Sequence, residues 1–166
     1  STAGTLGNES VYDHALSSDG RYIAFESNAT NLVAGDVNNR VDVFVKDRLT
    51  EQTTRESISS AGIPANGYST YTRLSANGRY LAFVSDATNL VSGDTNGLTD
   101  LFVRDRQMAR TLRLSLAADG TQANQGVDGV AISASGDYVA FVSAATNLVA
   151  GDTNNFADVF VVRVPF

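Results

Sequence analysis

NLVAGDVNNRVDVFV, residues 31–45, is the stretch whose reading decides the fold, because it occurs three times. It returns as NLVSGDTNGLTDLFV at 89–103 and as NLVAGDTNNFADVFV at 147–161, a step of 58 residues each time with no insertion. Each copy carries an Asp-x-Asn-x-x-x-Asp loop just ahead of an apolar run: Asp36, Asn38 and Asp42; Asp94, Asn96 and Asp100; Asp152, Asn154 and Asp158. Over residues 16–47, 17 of 32 positions are identical in all three copies, so the chain is a tandem repeat.

Upstream of the loop lie two strand-like runs. Residues 11–17, with 69–75 and 127–133, mix β-branched, aromatic and small side chains, which suits a strand. Ser18-Asp19-Gly20, Ala76-Asn77-Gly78 and Ala134-Ser135-Gly136 follow as hairpin turns. The second strand reads RYIAFES, RYLAFVS or DYVAFVS and is apolar on both faces, which predicts burial on both. Downstream of the loop runs a third strand, VDVFVKD, TDLFVRD or ADVFVVR. A hairpin through Asp47-Arg48 or Asp105-Arg106 leads to a fourth strand, expected over 53–58 or 111–116. No helical period occurs anywhere.

Each unit is therefore expected to be a four-stranded antiparallel meander, with units 1–58, 59–116 and 117–166, the last without its fourth strand. A sheet with two apolar faces needs a neighbour on each side, and the radial stacking of β-propeller blades supplies one. A β-sandwich has no need of a fixed repeat length, and a β-solenoid coil would be shorter. The fold class expected is all-β, a set of propeller blades.

Composition excludes several functions. A net charge of −6 with Lys46 as the only lysine leaves no basic stripe, so no nucleic-acid partner is expected. No apolar run approaches the roughly 20 residues that span a bilayer, so membrane insertion is not expected either. Without cysteine, neither disulfides nor thiolate metal sites are available. The chain opens on Ser1 with no charged-then-apolar leader, and a targeting peptide is expected to be absent or already removed. The arginines are spread along the units and read as solvated or paired surface groups.

The runs LSSDGRYIAFESNATNL, LSANGRYLAFVSDATNL and ISASGDYVAFVSAATNL resemble the TolB-type β-propeller repeat, with its Ser-x-Asp-Gly-x-x-Ile-Ala-Phe signature. The DVFVKDR and DLFVRDR runs look like that family's third strand. The resemblance covers essentially the whole chain and departs from the short form of the repeat by its longer Asp/Asn-rich middle loop. It implies a bacterial scaffold protein, periplasmic, secreted or linked to an enzyme. It does not define a function.

The loop residues are the candidate site. Oxygen ligands at loop positions one, three and seven converge on a hard cation, and position five (Arg40, Leu98 or Phe156) would add only its carbonyl. That set suits Ca²⁺ better than Zn²⁺, so Asp36, Asn38, Asp42, Asp94, Asn96, Asp100, Asp152, Asn154 and Asp158 are candidate calcium ligands. The competing reading is that the same side chains brace the loop by hydrogen bonds. In a meander the second-to-third loop and the connection between units share one rim, so Asn8, Asn66 and Asn124 are expected beside these loops. Binding tends to evolve on such a face.

An enzyme is not expected. His14 is the only histidine, and its equivalents are Thr72 and Val130. Glu26 and Asp128 are the carboxylates considered for acid–base work. Asn8-Glu9-Ser10 and Asn28-Ala29-Thr30 match the glycosylation pattern.

The functional expectation is a non-catalytic scaffold binding a protein partner or itself. The alternatives are a carbohydrate-binding module and an accessory domain of a secreted enzyme. Because propellers close with four to eight blades, two arcs forming a six-bladed homodimeric ring are expected ahead of a filament, and further blades upstream in the precursor are the other alternative. The end of unit three, where Val162 and Val164 replace Lys46 and Arg48, looks suited to packing against a partner.

Overall fold

The computed structural model describes residues 1–154 and 156–166. Its first sheet has the order β1-β2-β3-β4, with β1 Val11–Leu16, β2 Tyr22–Ser27, β3 Asp42–Asp47 and β4 Thr53–Arg55. The second repeats it with β5 Ser69–Leu74, β6 Tyr80–Ser85, β7 Asp100–Asp105 and β8 Arg110–Arg113. The third holds β9 Val127–Ile132, β10 Tyr138–Ser143 and β11 Asp158–Arg163, in the order β9-β10-β11. All pairings are antiparallel, and the central register recurs: Phe25 opposes Phe44, Phe83 opposes Phe102 and Phe141 opposes Phe160. Each of these pairs stacks, with ring centroids 5.4–5.7 Å apart.

The fourth strands are shorter than the sequence suggests. Beyond Arg55 the ladder is interrupted because the Ser57 hydroxyl, not a backbone carbonyl, accepts the Val43 N–H. Ser115 does the same to Leu101 in the second unit. Both serines are fully buried.

The first strand of each later sheet packs into the sheet before it: β5 on β1 and β2, and β9 on β5 and β6. Strand alternation then sends one set of side chains each way. Ala24, Val43 and Val45 of the first sheet pack against Leu81, Phe83 and Phe102 of the second. The other face of the second sheet sends Ala82, Val84, Leu101 and Val103 against Val139 and Phe141 of the third. Burial on both faces is complete in the middle unit, where every residue of β7 is buried, and holds in the first for Asp42–Val45 of β3. In β11 it alternates, and Val159 and Val161 are 70% and 68% exposed.

On the rim of the tight turns, the units are linked backbone to backbone. Ser18 N–H donates to Ala76 O at 2.8 Å, and Ala76 N–H to Ala134 O at 2.9 Å. Gly78, at φ +71°, lies against the Tyr22 ring, and a Cβ there would sit 2.2 Å from Tyr22 Cδ2. Gly136 meets Tyr80 in the same way. Glycine is required at this turn for its conformation and for room to seat the preceding blade's tyrosine.

Candidate functional site

The opposite rim carries the long loops, as the meander topology requires. The connection entering each unit is stapled to that unit's own middle loop by two asparagines. Asn66 N–H donates to Asn89 Oδ1 at 3.0 Å, Asn66 Nδ2 to Thr88 Oγ1 at 3.0 Å, and Thr88 N–H returns to Asn66 Oδ1 at 2.9 Å. Asn89 Nδ2 then reaches Pro64 O at 2.8 Å. The first and third units repeat the set through Asn8 with Asn31 and Asn124 with Asn147. Satisfying these loop groups internally is why the Ala-Thr-Asn-Leu run recurs unchanged.

The Asp-x-Asn-x-x-x-Asp residues do converge, and in the first two units they converge on an arginine. Arg55 Nη1 lies 3.0 Å from Asp36 Oδ1 and 3.2 Å from Asp42 Oδ2. Arg113 Nη1 lies 3.0 Å from Asp94 Oδ1 and 3.3 Å from Asp100 Oδ2. These side chains are 8% exposed or less. The serines complete the cage: Ser57 Oγ donates to Asp42 Oδ1 at 2.6 Å, and Ser115 Oγ donates to Asp100 Oδ1. Burial pushes the Asp36 carboxyl above its ordinary range although Arg55 pulls it down, and Asp94 behaves likewise beside Arg113.

The asparagine faces the wrong way for a metal ligand. Asn38 Oδ1 accepts the Arg40 N–H at 3.1 Å, which turns Nδ2 toward Asp42 Oδ2 at 2.8 Å and Ala65 O at 3.2 Å. Asn96 follows the same pattern toward Leu98 and Ala123. With a guanidinium between the carboxylates and an amide N–H₂ turned inward, the residues of these two loops do not fit calcium as they stand. Among the described residues no group of three or more carboxylates or imidazoles gathers as a metal site.

The third loop differs. Asn154 Nδ2 still donates to Asp158 Oδ2 at 3.1 Å, and Phe156 N–H to Asn154 Oδ1 at 2.8 Å. Among the described residues no basic side chain pairs with Asp152 or Asp158 there. Both are half-buried where their counterparts are buried.

The remaining candidates do not assemble into a catalytic set. His14 is exposed on β1, and Asp128 is exposed on β9. Glu26 is buried and accepts the Thr72 N–H at 2.8 Å. It borders a cleft with Tyr12, Asp13 and Tyr71. Burial pushes its carboxyl up, and the nearby Asp13 charge adds to this. Asn8, of the first sequon, is tied into the loop staple. Arg55, Arg113, Ser57 and Ser115 lie outside the Asp-x-Asn-x-x-x-Asp pattern and are not among the residues expected at the site. Their signal was Thr-x-Arg-x-Ser at 53–57 and again at 111–115, in phase with the repeat.

No family model and no curated protein matches the chain by sequence. Solved structures do match it. A putative TolB from Agrobacterium tumefaciens superposes with a TM-score of 0.57 at 19% identity, over 98% of this chain and 47% of its own. TolB from Acinetobacter baumannii gives 0.55 at 14% identity, over 95% and 30%. The fold is that of a TolB-like β-propeller. An acylaminoacyl peptidase also superposes, at 0.51 and 11% identity, over 81% of this chain and 17% of its own. The chain thus spans less than half the length of these structures, and the TolB-like likeness describes the arrangement of blades. Among the described residues no helix is long and apolar enough to cross a membrane.

Proposed function

We propose that the chain is a non-catalytic propeller scaffold for protein interaction, and that a second copy of itself fits its two outer faces. One observation carries this. The apolar positions by which each unit accepts the next are buried at the internal junctions and bare on the third unit, while on the first unit Leu16 is bare and Phe44 stays covered. Val43, Val45, Leu101 and Val103 are fully buried, whereas their third-unit equivalents Val159 and Val161 are 70% and 68% exposed. At the other end Leu16 is 57% exposed, whereas Leu74 in the same position is 9% exposed. Bare apolar faces of this kind mark interaction surfaces. Blade one of each copy against blade three of the other closes a six-bladed ring about a twofold axis.

Light scattering should give about twice the 17.5 kDa chain mass, and Val161→Glu should return it to a monomer. A stable wild-type monomer would refute the reading. For the loops we favour bracing by guanidinium over calcium in the first two units, since Arg55 and Arg113 already supply the cation. A periplasmic or secreted location belongs to the same proposal and rests on the family resemblance.

A further inference from the structure

The cleft at the junction of the first two sheets has a lining that the repeat does not dictate. Tyr12 and Asp13 of β1, Glu26 of β2, Val41, and Thr70 and Tyr71 of β5 enclose about 380 Å³. All belong to the first two units, so the cleft is bounded on both sides within the chain. One repeat further on, Thr70 stands for Tyr12, Val84 for Glu26 and Gly129 for Tyr71. Both first strands slip register at the cleft, between Val11 and His14 and between Thr70 and Arg73. Such bulges re-aim side chains, and Tyr71 takes φ +55°, an unfavourable conformation for a bulky residue. Tyr12 and Tyr71 both remain half exposed.

Glu26 sets the chemistry. It is 3% exposed, in the place that Val84 and Val142 take in the other units. A buried carboxylate is costly where an apolar side chain is not, unless something answers its charge. Thr72 N–H donates to Glu26 Oε1 at 2.8 Å. Among the described residues no basic side chain pairs with Glu26, and Arg73 pairs with Asp13 instead. We infer that this cleft binds an organic cation, an ammonium head on a short alkyl stem, with Tyr12 and Tyr71 as its aromatic walls and Glu26 as its counter-ion. Aromatic faces attract such cations, and more strongly once water is excluded. Calcium would demand six or more oxygen ligands, and a neutral ligand such as a sugar would leave the Glu26 charge unanswered. Free quaternary amines and lysine side chains share this chemistry.

The test is calorimetric titration of the intact chain, at fixed ionic strength, with choline and separately with lysine blocked at both its amino and carboxyl ends. Saturable binding of at least one is expected, and the tighter of the two identifies the source. The uncharged isostere of choline, with carbon in place of nitrogen, should bind roughly tenfold more weakly or worse, the range for contacts to a charged group. Glu26→Gln should lose about as much, with a melting curve confirming that it folds. Tyr71→Ala should weaken binding by about threefold or more, whereas Tyr71→Phe keeps the ring and the affinity. Asp128→Asn, on the exposed part of β9, should change nothing. No saturable binding of either cation overturns the inference, as does equal binding of choline and its isostere or undiminished binding by Glu26→Gln.

Discussion

Replacing Arg113 by methionine tests whether the loops are held by a buried guanidinium. The arginine side chain is 7% exposed, and its partners Asp94 and Asp100 are 3% and 0% exposed. Arg113 also donates to Gln122 Oε1 at 2.8 Å and to Gly93 O at 3.3 Å. Methionine fills the volume and leaves two facing carboxylates with no countercharge. Breaking a buried pair from one side costs about 3–5 kcal/mol, and for a chain of this size that is a drop of roughly 6 to 20 °C in melting temperature. Burial, with the Asp100 charge, already holds the Asp94 carboxyl above its ordinary value despite Arg113. A raised carboxyl stabilises the fold fully below its unfolded pKa and loses that contribution as pH rises through the folded one. Removing Arg113 takes away the one influence pulling it down. The deficit should thus be largest at neutral pH and shrink as the carboxylates protonate, and adding Asp94→Asn and Asp100→Asn to the variant should recover part of it. Urea and thermal melts across pH measure all of this. A loss below about 1 kcal/mol, within the range of exposed ion pairs, would show that the cage does not hold the blade.

Three further outcomes are expected. Calcium and EDTA should leave the melting temperature unchanged, and a rise of several degrees with calcium would show that at least one loop takes metal. Gly20→Ala, at φ +68° with no heavy atom nearer than 3.7 Å, should cost about 1–2 kcal/mol of backbone strain. Gly136→Ala adds a clash with Tyr80 at 2.2 Å and should cost a further 1–3 kcal/mol or so; equal costs in urea melts would mean that the turn-on-tyrosine contact does not join the blades. Glu26→Gln keeps the acceptor for Thr72 N–H while removing a charge whose carboxyl burial has pushed up. It should raise the melting temperature at neutral pH, with the gain vanishing as pH falls through the carboxylate range. A destabilised variant at neutral pH would show that the ionised form is needed there.

Most of the fold was legible because each unit states it again. The 58-residue step, the Asp-Gly, Asn-Gly and Ser-Gly turns and the doubly apolar second strand lead directly to three stacked meanders. What they could not show is where a side chain takes over a backbone bond. Residues 53–58 read as a continuous strand, yet the run stops at Arg55 because Ser57 Oγ occupies the Val43 N–H. A serine carries no mark of that role in composition or alternation. Only its recurrence at 115, two residues after an arginine, hints at it.

The site was half legible for a related reason. Aspartates spaced one and seven in a loop reveal that two negative charges will be brought together, and they say nothing about which cation answers them. Here the cation is 13 residues beyond the second aspartate, across β3 and a hairpin, as Arg55 from Asp42 and Arg113 from Asp100. Read singly, each arginine sits in a polar strand and looks solvated. Read in phase, both fall on the strand neighbouring the loop and project to the same rim. The asparagine between the aspartates then has a plain task. With its oxygen held by the backbone two residues on, its amide can only donate, and it donates to the carboxylate that the arginine shares. A motif that resembles a metal loop is, in the first two units, the acceptor half of an ion pair, and the donor half lies on the next strand of the sheet.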